Sequence, residues 1–245
     1  MTAQEMHQSF RFGMDKMDNL NYPNFLPEEI DLLLNQGQER FIKQRYGITN
    51  PKRTSFEETQ KRTEDLKELI KHVNLIPAAN TYTNITPYSR FVTLPTDHWF
   101  IIQERVVQEC DKCNSTPLYS ETITIAGRIS ITQYNGMYAE VRPIQHMEVD
   151  KVLNDAFKQP DYDKVLRLME DGQVEIITSS VCVPKVYRLR YLKKPNKISL
   201  TTPTNCELSE HTHQEIVDEA IKVALEGIEA KRNGSFSPIV DNQKE

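Results

Sequence analysis

The stretch from Tyr187 to Arg232 constrains the fold more than any other. It reads as a basic strand, a connector broken by proline and one long amphipathic helix. Thr212 followed by Glu215 has the spacing of a capping box, in which each side chain satisfies a free backbone N–H. Lys231 and Arg232 suit the negative end of the helix dipole, and Asn233-Gly234 offers a left-handed cap. Glu215, Asp218, Glu219, Lys222, Glu226 and Glu229 line up as one polar stripe. The remaining surface is apolar through Ile216, Val217, Ala220, Ile221, Val223, Ala224, Leu225 and Ile228, wider than one neighbour covers. Such a helix is either buried deep in its own domain or shared with another subunit.

Upstream, Met6, Phe10 and Met14 predict a helix over residues 3–17. Pro27 at a first helical position opens a second helix, Pro27 to Tyr46, with Ile30, Leu33, Leu34, Phe41 and Ile42 on its apolar side. Gly37 interrupts that side. An internal glycine costs about 1 kcal/mol against alanine, so close approach of another backbone is the expected compensation. The two long helices, each about 30 Å by residue count, are expected to pack together. Gly37 then faces Ala220, Ala224 and Gly227, while Ile216, Ile221 and Ile228 meet Leu33, Leu34 and Phe41. A second capping box, Ser55 with Glu58, predicts a helix from Phe56 to about Val73, with a seam of Phe56, Thr59, Thr63, Leu66, Ile70 and Val73.

Residues 75–97 carry Pro77, Pro87 and Pro95 without helical period and read as an extended arm or edge segment. Strands follow at 99–107 and 122–125. Asn135-Gly136 between 129–134 and 137–141 is the strongest hairpin signal, and it sets Tyr134 opposite Met137 with both sheet faces covered. Residues 149–157 and 162–169 read as short helices, and 174–177 and 181–192 as strands. The expected architecture is α+β: an N-terminal helical region (1–74), a β-rich region with two short helices (75–208), a C-terminal helix completing the helical part (209–234) and a polar tail (235–245).

The chain has 245 residues, enough for a real core, and a net charge of −5, which argues against a dedicated nucleic-acid binder but not against a local basic face. Only 8 residues are glycine, and neither G-x-G-x-x-G nor a P-loop occurs. G-x-S-x-G and H-E-x-x-H are also absent, so the expectation is a non-enzymatic protein without cofactor or small-molecule substrate. The first ten residues lack the apolar core of a signal peptide, and no window reaches membrane-span length. Four cysteines in that context are expected to be free thiols in a reducing compartment.

Three polar clusters invite a chemical reading. Cys110-x-x-Cys113 offers two soft ligands of the four a structural zinc needs; Cys182, Cys206, His211 and His213 lack the spacing to complete the set. The blander alternative is a polar turn with two thiols. Glu210, His211, His213 and Glu215 crowd a helix start, where capping is the default reading. Lys185, Arg188, Arg190, Lys193, Lys194 and Lys197 give six cations and no acid in thirteen residues. Tyr187, Leu189 and Tyr191 alternate with the arginines, so this strand has an aromatic face and a basic one. The basic face fits an acidic neighbour, a solvated surface or, third, nucleic acid.

Three runs carry a family resemblance. They are Phe25-Leu-Pro-Glu-Glu-Ile-Asp-Leu-Leu-Leu-Asn35-Gln-Gly-Gln38-Glu-Arg-Phe41-Ile42 with Arg45-Tyr46; Ser55-Phe56-Glu57-Glu-Thr59-Gln60-Lys61-Arg62 with Asp65-Leu66; and Tyr191-Leu192-Lys-Lys-Pro195 followed by His213-x-Glu215-Ile216-Val217-x-x-Ala220. Together they resemble the ring, or head-to-tail connector, proteins of crAss-like tailed bacteriophages. The resemblance implies a virion structural subunit, made in the host cytoplasm, of a dodecameric ring below the portal. Its implied partners are identical subunits, the portal and other neck or tail proteins, and packaged DNA in the channel. It transfers no catalytic residue. Two other readings stand beside it: a Cys/His metal- or thiol-dependent binding protein, and an injected phage cargo protein.

Overall fold

The computed structural model describes residues 1–17, 25–47, 56–79, 85–110, 119–125, 128–134 and 136–227. Expectations resting on Ser55, Cys113, Asn135, Ile228, Glu229, Lys231 to Gly234 and the 235–245 tail lie outside them. The chain is α+β and forms two compact units, Met1–Ile70 with Lys194–Glu245, and Lys71–Lys193.

In the first unit, Met6, Phe10 and Met14 are buried along one face of helix α1 (Ala3–Met17). Helix α2 (Pro27–Tyr46) starts at its proline, with Glu28 and Glu29 in the first turn, where the helix dipole favours acids. The Leu26 N–H donates to Glu29 Oε2 at 2.8 Å. Ile30, Leu34, Phe41 and Ile42 are buried and Leu33 half-buried. Helix α3 (Gln60–Leu66) is shorter than the seam predicts. A 3-10 turn over Lys67–Leu69 ends it, and the seam's last two residues, Ile70 and Val73, belong to strand β1 (Ile70–Leu75).

Helix α5 (His213–Gly227) lies against both α1 and α2. Its wide apolar face therefore finds two neighbours inside its own unit. Gly37 is the point of closest approach: a Cβ there would stand 2.8 Å from the Ala220 nitrogen and 2.9 Å from the Ile216 carbonyl oxygen. Both are backbone atoms of α5, so the helices would have to part. An exposed helical Gly→Ala change gains about 1 kcal/mol. Here Gly37→Ala is expected to lose about 1–3 kcal/mol from overpacking, measured by urea unfolding. Ile221 is the exception to the expected pairing, since its Cδ1 occupies the space over Gly13 of α1. The polar stripe also needs correction: Glu219 is only 1% exposed. The connector after Lys193 is strapped onto α2 in strand-like fashion, with Asn35 donating to Ile198 O at 2.9 Å and accepting from Ile198 N at 2.8 Å.

The second unit is a curled sheet of seven strands. After β1 come β2 (Arg90–Thr93), β3 (His98–Cys110), β4 (Tyr119–Ile125), β5 (Arg128–Tyr134) and β6 (Met137–Pro143). Helix α4 (Val149–Leu153) crosses to β7 (Lys164–Glu170), followed by β8 (Gln173–Ile177) and β9 (Cys182–Lys193). The order is β1-β9-β3-β6-β7-β8-β2, and β4 and β5 form a separate two-stranded ladder. One apolar cluster receives residues from all seven strands, among them Val73, Val92, Val106, Ala139, Val165, Ile176 and Tyr187. A flat sheet cannot bring both of its edges to one core. This one curls until they meet: just past β1, Ala78 exchanges two backbone hydrogen bonds with Phe91 of β2, at 2.9 and 2.8 Å. Closure into a barrel leaves little edge open to chance pairing.

Three local expectations fail in this unit. Residues 164–170 form a strand, not a helix, because both its faces are covered. Val165 points into the barrel while Leu166 and Leu168 pack under Val149 and Val152 of α4. A strand buried on both sides and paired parallel, as β7 is with β6, shows no alternation to read. The helix expected over 149–157 is correspondingly confined to Val149–Leu153. Tyr134 does not pair with Met137 as expected: Tyr134 pairs with Tyr119 and Met137 with Gln108. Strands β4 and β5 pair antiparallel out to Ile125 with Arg128. On β6 only one face is covered: Ala139 and Val141 are buried, Tyr138 and Glu140 exposed. Between β7 and β8, Asp171 and Gly172 have φ of 40° and 72°, the positive pair a two-residue hairpin turn requires.

Candidate assembly surface

The residues crowded around the start of α5 diverge rather than converge. His211 Nε2 bonds Asp65 Oδ1 at 2.8 Å, and Glu215 pairs with Arg45 and, at 3.5 Å, with Lys61. Glu210 lies 3.4 Å from the Met1 ammonium. His213 Nε2 donates to the Leu208 carbonyl at 2.8 Å, which leaves Nδ1 to accept from the Met1 ammonium at 2.9 Å. That tautomer is the neutral imidazole, and burial lowers its pKa accordingly. The expected capping box is absent: Thr212 Oγ1 donates to Ser209 O, and Glu215 is committed to the cations. These four side chains fasten the N-terminus, α2 and α3 to α5.

The cysteines correct another expectation. Cys110 and Cys182 form a disulfide across a 72-residue separation, so they are not free thiols. The physical cause is register: they are directly paired residues of β3 and β9. A disulfide sulfur is no thiolate, so Cys110 cannot serve as half of a zinc knuckle with Cys113. Cys206 is free and buried, with its pKa raised to about 11 by that burial. Reduction, or a Cys110→Ala/Cys182→Ala variant, is expected to lower stability by about 2–4 kcal/mol. Alkylation of the unfolded protein should label two more thiols after reduction than before.

The basic strand behaves as its alternation implies. Tyr187, Leu189 and Tyr191 of β9 point into the barrel core, leaving Arg188 and Arg190 outside. Lys185 is answered by Glu109 at 3.0 Å. The two arginines are joined by neighbours that composition did not single out. Cross-strand register sets Arg105 beside Arg188 and Gln103 beside Arg190, and with His72 of β1 these line a concavity of about 280 Å³. Gln103 and Arg105 alternate with inward residues of β3, so period-2 reading of that run was the signal that finds them. Arg188 stacks over the Tyr138 ring at 5.7 Å and donates to its hydroxyl at 3.3 Å. Burial, then the adjacent Arg105 charge, lower the pKa of Arg188.

Inside the barrel a different polar group is self-contained. Tyr187 donates to Glu104 Oε2 at 2.7 Å, and Arg167 reaches Glu104 Oε1 at 3.2 Å. Burial raises the pKa of Glu104, and burial followed by the Glu104 charge raises that of Tyr187. Among the described residues no three His, Cys, Asp or Glu are grouped to hold a metal, and no helix is long and apolar enough to cross a membrane.

The molecule is thus a two-unit α+β protein whose singled-out polar residues hold elements together, apart from the exposed arginine face of a barrel. The chain belongs to the phage tail ring protein 3/4 family of crAss-like phages, whose family model matches residues 1–235. A relative is "Ring protein 3" of Bacteroides phage crAss001, 23% identical over 223 residues, covering 83% of this chain and 86% of the relative. Membership makes the chain a structural ring protein of a phage virion.

Proposed function

We propose that the chain is a non-enzymatic subunit of a dodecameric ring in the portal–tail connector, with identical copies at its sides and other neck or tail proteins above and below. The observation that carries this reading is the ring-family match over residues 1–235, nearly the whole chain. The wide apolar face of α5 is packed against α1 and α2 within the same unit. What supports ring contacts instead is the barrel surface, where charge is unevenly distributed. A heterologous contact repeated about an axis closes into a ring. Negative-stain imaging and sedimentation of the purified protein test the assembly, and reconstruction of the virion tests symmetry and level. Twelve-fold rings between portal and tail are expected. A monodisperse monomer at high concentration, with no copy of the protein in the virion's neck or tail, would overturn the reading.

A further inference from the structure

We propose that neighbouring copies meet through opposite sides of the barrel, the arginine groove of one copy receiving carboxylates from the α4 crossover of the next. This rests on the ring reading and specifies its contact. The groove residues His72, Arg105, Arg188 and Arg190 lie on β1, β3 and β9, and among the described residues the remaining lining side chain is the neutral Gln103. Guanidinium groups in pairs match carboxylates fork to fork, which is why arginine, not lysine, suits such a site.

The complementary surface lies across the barrel. Strand order puts β6 between the groove and β7 on one side, and β2 between β1 and β8 on the other. The crossover packs on the outer face of β7 and β8 through Val149 and Val152. Residues 148–171 hold seven acids against four bases, and one of those bases, Arg167, is committed to Glu104 inside the barrel. Glu148 and Asp150 are exposed on the crossover. Beside them stand the two most exposed large apolar side chains among the described residues, Met147 at 88% and Phe157 at 90%. A cationic groove bearing the exposed Tyr138 ring on one side, and an acidic face with apolar anchors on the other, are the two unlike faces a head-to-tail ring needs.

Duplex DNA is the competing occupant, and the charge distribution disfavours it. Backbone binding uses a tract of six to ten phosphate contacts. Here the positive surface stops within a few residues: Lys185 is paired with Glu109, and Glu140 sits across from Arg105 in the ladder. The local spot suits a few carboxylates.

The test uses the full chain in two charge-reversed forms, Arg105→Glu/Arg190→Glu and Glu148→Lys/Asp150→Lys, all at exposed positions. Each alone should melt like the parent yet need at least about tenfold higher concentration for half-assembly in sedimentation. Mixed one to one, they should recover rings, because each reversed face then meets an opposite charge in an alternating ring. Rings from either variant alone at parental concentration would overturn the proposal, as would a mixture that stays unassembled. So would a groove variant that keeps its rings but loses binding to a 30-base-pair DNA duplex. If the unaltered chain forms no rings at all, the ring reading itself fails, which separates the two outcomes.

Discussion

Arg45→Met is expected to lower unfolding free energy by about 3–5 kcal/mol, because it strands a buried carboxylate. Arg45 is 3% exposed and Asp65 fully buried, with Nε 2.9 Å from Oδ2. The same guanidinium reaches Glu215 of α5 and stacks on Phe41, 4.9 Å from the ring centre. One side chain therefore joins α2, α3 and α5 at a point that water does not reach. Without it, Asp65 keeps His211, 2.8 Å away, as its charge partner among the described residues, and that ring is half-exposed. A second change, Asp65→Leu, should recover much of the loss, because removing both charges removes the desolvation penalty. Arg40→Ala, which breaks an exposed pair with Glu226 at 2.8 Å, should cost no more than about 1 kcal/mol. Urea unfolding of the four proteins checks this; equal losses from Arg45→Met and Arg40→Ala would refute the role given to the buried pair.

Ile221→Asp is expected to be nearly as damaging, at about 4–5 kcal/mol, through an unpaired carboxylate in apolar surroundings. Ile221 is 2% exposed, wedged over Gly13 where α5 meets α1, with Val217 and Leu225 fully buried beside it on α5. The contrast is Asp218→Asn on the same helix. Asp218 is half-buried, and that burial raises its pKa despite the hydrogen bond from Gln214. Removing its charge should shift stability by no more than about 0.5 kcal/mol. Thermal melts that fail to separate the two variants would mean that α5 does not present this face to α1.

Which parts of the molecule were legible beforehand follows from the range of the forces involved. Helix α2 was readable from Pro27 to Tyr46, since its start, dipole charges and apolar period all act within a turn or two. The same apolar period located α1, whereas the Thr212–Glu215 box expected to open α5 does not form. The aromatic and basic faces of β9 followed from alternation alone. Gly37 told of a close backbone neighbour, though identifying Ala220 and Ile216 as that neighbour took the packed helices.

Tertiary structure decided everything that depends on partners distant in the chain. Ile70 and Val73 continue a helical seam arithmetically, yet the barrel needs a strand there, and burial of Val73 and Leu75 against its core outweighs a weak local preference. Residues 164–170 lost their alternation because α4 covers the outer face that would otherwise be polar. The pairing of Tyr134 with Met137 that Asn135-Gly136 implies is overruled by the ladders of β3 with β6 and β4 with β5. Cys110 and Cys182 became one bond, and Arg105 joined Arg188 in one groove, through the same register of β3 against β9. Residues more than 70 positions apart carry no local trace of each other. Only the closed sheet, by placing them on adjacent strands, made them neighbours.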